Sequence, residues 1–251
     1  MEEMVDEGMG QTILVLHGVM GDSTTWQPVT DLLCDRFRTV RLHRRQYRLD
    51  VPRKVTMADE VEQVREVAAG LDRPVLVGHS SGAVLALEAL ASDPDRYRAA
   101  ILYEPPLRLD EPLGGAKLEP ARAAMARGKA GTAFGIFLRD VVRYNRFLAF
   151  AAAVALNRKP EWRDRIERQL DDNDAIDALG NRLPAYAKID VPVLLLAGDR
   201  SPAHLGTRLE ALRQALPHSQ RMVMHGQGHN AESRAPDRVA AAITRFMDDL
   251  P

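Results

Sequence analysis

Residues 74–82 read Pro-Val-Leu-Val-Gly-His-Ser-Ser-Gly, and the segment behind them, Ala83 to Ala91, is almost wholly apolar. Pro74–Val77 has the length and Val/Leu content of a buried strand, and Ser81–Ala91 has those of a buried helix. Between them Gly78-His79-Ser80-Ser81-Gly82 spells G-x-S-x-G in the strand–turn–helix setting that a nucleophile elbow needs. So sharp a turn forces its central residue into a strained backbone conformation, and glycine at 78 and 82 removes side chains that would clash there. Ser80 then stands at the start of a helix, where backbone N–H groups and the helix dipole favour a developing oxyanion. A chance Gly/Ser turn spells the same five letters, but the flanking strand and helix favour the functional reading. Ser81 is the rival hydroxyl.

The same alternation extends outward from the elbow. Apolar runs at Thr12–Leu16, Thr39–Leu42, Ala99–Tyr103, Pro192–Ala197 and Arg221–Met224 read as further strands, buried on both faces as in a helix-covered parallel sheet. Thr56–Leu71 opens with Thr56 and Asp59 at capping-box spacing, and Arg238–Leu250 places Val239, Ile243, Phe246, Met247 and Leu250 on one face. Strands alternating with helices predict an α/β fold with right-handed crossovers. From Pro112 to Ala187 no strand is legible. That stretch predicts an inserted helical cap (residues 112–187) over a core built from residues 1–111 and 188–251.

Two glycine-rich turns complete the pattern. Leu16-His17-Gly18-Val19-Met20-Gly21 follows the first strand, and Gly226-Gln227-Gly228-His229-Asn230 follows the last. With these in place the chain resembles the α/β-hydrolases over nearly its whole length outside the cap. The resemblance implies a mostly parallel sheet with helices on both faces. About six strands are expected, because the eleven residues before Thr12 leave little room for the family's leading pair. It implies Ser80 as nucleophile, His229 as general base in the order Ser before His, and an oxyanion hole from the backbone N–H groups of Val19 and Ser81. His17 is expected to order its loop, and His225 lies too close to the strand end to serve as the base.

The acid is less direct. The family commonly carries Gly-x-x-Asp after the next-to-last strand, where this chain has Gly198-Asp199-Arg200-Ser201. Ser201 stands in the usual place, and Asp199 lies two residues early. The strand Ala99–Tyr103, however, ends in Glu104-Pro105-Pro106, resembling lipases that place an acid before proline there. Glu104 is the favoured acid and Asp199 the alternative, and each also reads as a solvated or capping carboxylate. The loop Arg44-Arg45-Gln46-Tyr47-Arg48-Leu49-Asp50 lacks the glycines that relatives often carry. The implied chemistry is cleavage of an ester, thioester or lactone through acyl-Ser80. The same fold also hosts lyases, carbon–carbon bond hydrolases, cofactor-free oxygenases and non-catalytic binding members.

Composition narrows the rest. The 251 residues are 45% hydrophobic and 27% charged with a net charge of -1, which suits a globular domain and lacks the basic excess of a nucleic-acid binder. The single cysteine, Cys34, excludes a disulfide framework and offers no zinc spacing; neither cofactor nor metal is expected. Met1–Gly10 lacks a secretory pattern and no apolar run nears the ~18 residues of a membrane span, so a cytoplasmic location and no membrane partner are expected, with the oligomeric state left open. Between Pro120 and Leu170 eleven Lys or Arg face only Asp140, Glu161, Asp164 and Glu167. That excess reads as a solvated helix exterior or as a positive rim for an anionic small-molecule acyl substrate or an acyl carrier. Phe134, Phe137, Tyr144, Phe147 and Phe150 cluster in the same insertion; most are expected to pack it against the core, with one or two lining an apolar acyl pocket.

Overall fold

The computed structural model describes residues 3–251; Met1 and Glu2, the first two of the ten read as lacking a secretory pattern, lie outside it. Its strands are β1 (Met4–Glu7), β2 (Thr12–Leu16), β3 (Arg38–Leu42), β4 (Val75–His79), β5 (Ala99–Tyr103), β6 (Val193–Gly198) and β7 (Ser219–Met224). They form one sheet in the order β1-β3-β2-β4-β5-β6-β7, parallel except for β1, which pairs antiparallel with β3. Short helix α1 (Gln27–Thr30), then α2 (Met57–Ala69) and α3 (Ser81–Ser92), fill the first crossovers. Helices α4 (Glu119–Ala126), α5 (Ala130–Asp140), α6 (Arg146–Asn157), α7 (Arg163–Leu179) and α8 (Leu183–Tyr186) all lie between β5 and β6. Helix α9 (Ala203–Ala215) precedes β7, and α10 (Ala231–Arg234) and α11 (Pro236–Asp248) end the chain.

Each strand expected from the sequence is present; those inside the sheet are buried on both faces, whereas β7, at its edge, leaves Gln220 and Arg221 exposed and fully buries only Met224, against the expectation for its run. Leu14, Leu16, Leu76, Leu102 and Leu195 point to one face and join a core with α2, α3 and α9. Their neighbours Ile13, Val15, Val77, Ile101 and Leu194 point to the other and pack on Trp26, Val239, Ile243 and Phe246. Both faces are thus closed by helices, and each buried Leu or Ile contributes on the order of 1.5–3 kcal/mol. Helix α2 starts with the expected capping box: Thr56 Oγ1 accepts from the Asp59 N–H at 3.2 Å while Asp59 Oδ2 accepts from the Thr56 N–H at 2.8 Å.

The sheet has seven strands, not about six. The additional one, β1, is only four residues long and largely exposed, with Met4 opposite Leu42 and Glu7 opposite Thr39. An edge strand buries little, so it carries no apolar alternation to read. Its acids also discourage pairing with another chain. The parallel strands deliver their following loops to a single edge of the sheet, where ligands of open α/β folds bind.

Candidate active site

Ser80 is the hinge between β4 and α3, with φ 53° and ψ −123°, a region that costs a non-glycine residue about 1–3 kcal/mol. The flanking glycines show what holds it there. A Cβ at Gly78 would lie 2.5 Å from Ala83 Cα, and one at Gly82 would lie 2.3 Å from the Leu16 carbonyl oxygen. Neither position admits a side chain without pulling α3 off β4 or β2. The Ser80 N–H donates to Tyr103 O at 2.9 Å, and its carbonyl accepts from the Ala83 N–H at 2.9 Å. The strain is therefore pinned from both sides.

Register places Glu104 beside it. His79 is opposite Tyr103 across β4 and β5, so Ser80 and Glu104 occupy the next position on neighbouring strands, and Glu104 also has a positive φ of 46°. The Glu104 carboxylate is buried; Oε1 accepts from the Gly198 N–H at 2.8 Å and Oε2 lies 2.6 Å from His229 Nδ1. Burial raises its pKa, but the His229 contact and the Gly198 N–H outweigh that and hold it below the usual carboxylate range. An ionised Glu104 requires a proton on Nδ1, which leaves the Nε2 lone pair of the neutral ring free. Ser201, in the family's customary acid position, lies near this carboxylate, yet its Oγ meets no hydrogen-bond geometry.

Asp199 faces elsewhere. Its Oδ1 accepts from the Gly226 N–H at 2.7 Å and its Oδ2 lies 3.1 Å from Nδ1 of His225, a ring 87% exposed. The loop bearing His229 is held instead by groups the sequence reading left out. Tyr103, buried, donates its hydroxyl to the Gly228 carbonyl and accepts from the Ala231 N–H at 3.3 Å. His79 Nε2 donates to the His229 carbonyl at 2.8 Å. Both lie at strand ends, where a periodicity argument sees only core.

The H-G turn is fixed by a buried arginine. His17 accepts at Nε2 from the Arg44 N–H at 3.2 Å and donates from Nδ1 to Gly18 O at 2.8 Å. Burial first, then the Arg44 charge, pushes its pKa down to about 3, so it is neutral and orders the turn. Arg44 is itself fully buried and uses all five of its N–H donors. Nε and Nη2 meet Glu60 at 3.0 and 2.5 Å, Nη2 also meets Asp172 at 3.1 Å, and Nη1 reaches His17 O at 3.2 Å and Ser81 Oγ at 2.7 Å. The Tyr47 hydroxyl donates to Asp172 Oδ2 at 2.7 Å. One guanidinium thus ties the H-G turn, the start of α3 and α7 of the insertion together. The loop after β3 was legible only as a departure from the family, because these partners are 16 to 128 residues away. Arg44→Met should destabilise the fold by about 3–5 kcal/mol in chemical denaturation, since it strands two buried carboxylates. A loss under about 1 kcal/mol would show that the cluster contributes little.

Ser80, Ser81, Val19 and His229 all line one cavity of about 370 Å³. Its far wall is apolar, from Met20, Phe134, Phe137, Leu156 and Trp162, with Gln169 and Asn173 from α7 as neutral polar groups. Ser81, as the first residue of α3, contributes an N–H with no partner inside its own helix. Among the described residues no lysine or arginine lines this wall. Four of the insertion's cations are engaged elsewhere: Arg122 with Asp174, Arg139 with Asp140, Arg165 with Asp22, and Arg168 with the Gln46 and Val51 carbonyls. Of the clustered aromatics, Phe134, Phe137 and Tyr144 line the cavity. That is more than the one or two expected there, and Phe147 and Phe150 are exposed to solvent rather than packed against the core.

A family model described as Alpha/beta hydrolase family matches residues 13–242. The 2-(acetamidomethylene)succinate hydrolase of Mesorhizobium japonicum is 28% identical, spanning 97% of this chain and 90% of its own length. Esterase YbfF of Escherichia coli is 25% identical over 94% of this chain and 93% of its own. The crystal structure of an alpha/beta hydrolase from Sphaerobacter thermophilus, 22% identical, has a TM-score of 0.78 over 97% of this chain and 95% of that one, a likeness of fold.

Proposed function

The chain belongs to the alpha/beta hydrolase family, and from that premise we propose that it hydrolyses a carboxylic ester, thioester or lactone with an uncharged, apolar acyl group. Ser80 Oγ attacks the carbonyl carbon and passes its proton to His229 Nε2. The oxyanion takes hydrogen bonds from the Val19 and Ser81 N–H groups, and the leaving group departs with the proton from His229. Water, deprotonated by the same ring, then cleaves acyl-Ser80. Glu104 holds the tautomer and stabilises the imidazolium. Residues 112–187 act as a cap whose aromatics exclude water from the acyl group.

The observation that carries this reading is the Glu104–His229 contact of 2.6 Å at the cavity that Ser80 lines. An apolar wall without cations argues against an anionic acyl group, since a buried carboxylate there would have no partner. A cavity of about 370 Å³ is at the small end for ligand sites, which suits a short or medium acyl chain. The test uses p-nitrophenyl esters of equal size, with and without a terminal carboxylate on the acyl chain. The neutral ester should have the higher kcat/KM by at least about tenfold. Equal values would remove the apolar assignment. No mass shift on Ser80 after treatment with a fluorophosphonate would sink the serine-hydrolase reading itself.

A further inference from the structure

Helix α6 wears its apolar side outward. Its small residues make the internal contact: a Cβ at Gly131 of α5 would lie 2.3 Å from the Ala153 carbonyl oxygen, and one at Gly135 would lie 2.7 Å from Ala153 Cβ. The two helices therefore pack backbone to backbone through Gly131, Gly135, Ala149 and Ala153. The large residues point the other way, with Phe147 84%, Leu148 65% and Phe150 70% exposed. Folding alone would favour burying the phenylalanines and exposing the alanines. An outward stripe of this kind marks a contact surface.

The surroundings say what it contacts. From Phe147 to Leu156 no side chain is polar, so the face offers none of the roughly one hydrogen bond per 100–200 Å² that protein interfaces carry. Arg143 and Arg146 precede the stripe and Arg158 and Lys159 follow it, with no acid anywhere between residues 141 and 159. All four are exposed, and none has an ion-pair partner among the described residues, unlike Arg122, Arg139 and Arg165. A two-fold contact with a second copy would set this cationic patch against itself. A short apolar helix with cations at both ends matches an anionic bilayer surface, where apolar side chains enter the acyl boundary and the cations meet headgroups.

We propose that α6 docks this protein onto lipid surfaces bearing anionic headgroups. Among the described residues no helix is long and apolar enough to cross a membrane, so the contact is peripheral. Leu156, on the same helix, lines the cavity, so the docking helix is also part of the wall of the apolar site. The contact itself does not depend on the chemistry performed there.

The full chain is sedimented with phosphatidylcholine vesicles and with phosphatidylcholine–phosphatidylglycerol vesicles. Binding is expected only to the anionic vesicles, released at 1 M salt, where the Debye length falls to about 3 Å. Phe147→Ser with Phe150→Ser should weaken partitioning by at least about tenfold. The same variant should keep hydrolysis of a soluble short-chain ester within about twofold and its melting temperature unchanged. Arg158→Gln with Lys159→Gln should weaken binding roughly fivefold per charge. Absence of binding to anionic vesicles, equal binding to neutral ones, or binding indifferent to the double phenylalanine variant overturns the proposal. So does a wild-type dimer in analytical ultracentrifugation that the same variant dissolves, which would assign the face to a second copy.

Discussion

Ser80→Ala is expected to lower kcat for p-nitrophenyl ester hydrolysis by about 10⁴–10⁶, the scale on which removing a serine nucleophile acts. The melting temperature should not fall. The side chain makes no contact that holds the elbow, which is pinned by the backbone bonds to Tyr103 and Ala83. Ser81→Ala separates the two hydroxyls. Ser81 Oγ accepts from Arg44 Nη1 at 2.7 Å, whereas its assigned part in the reaction is played by its backbone N–H. That variant should lose activity only modestly and stability by about 1–3 kcal/mol, the cost of leaving a buried donor unpaired. If Ser80→Ala stays active while Ser81→Ala does not, the nucleophile is the other serine.

Glu104→Gln should lower kcat by about 10³–10⁴, with little change in KM. The reason is the number of donors facing the carboxylate. Oε1 accepts from the Gly198 N–H and Oε2 from His229 Nδ1, so both oxygens are needed as acceptors. A glutamine amide satisfies only one. With its oxygen on Gly198 its NH₂ faces Nδ1, which must then accept, moving the ring proton to Nε2. Such a ring donates toward Ser80 and cannot take its proton. Asp199→Asn should change kcat by less than about twofold, because its partners are an exposed histidine and a turn N–H. The reverse ranking, measured at equal melting temperature, would return the acid to Asp199.

Ser80 and Glu104, two of the residues held at positive φ, differ in how early they could be read. Strain at Ser80 is encoded locally: Gly78 and Gly82 bracket it, with a strand before and an apolar helix behind. Strain at Glu104 has no such bracket. It follows from the next strand running in register with β4, which no local pattern reports. The same contrast separates His229, read from a glycine-rich turn in chain order, from Tyr103 and His79, which hold that turn from 125 and 150 residues away.

By itself the sequence determined what depends on short-range repetition and backbone sterics. Short apolar runs placed six strands, the capping residues placed α2, and two glycines placed the elbow at Ser80. The tertiary structure decided what depends on which distant groups share a volume. It set the Glu104 carboxylate on His229 and that of Asp199 on His225, and it closed a five-donor cluster around Arg44 from loops that show no common pattern. It added β1, because an exposed edge strand needs a partner rather than a hydrophobic period. It also turned Phe147 and Phe150 outward: helix α6 fixes its side chains on both faces alike, and only the close approach of Gly131 and Gly135 selects which face is buried.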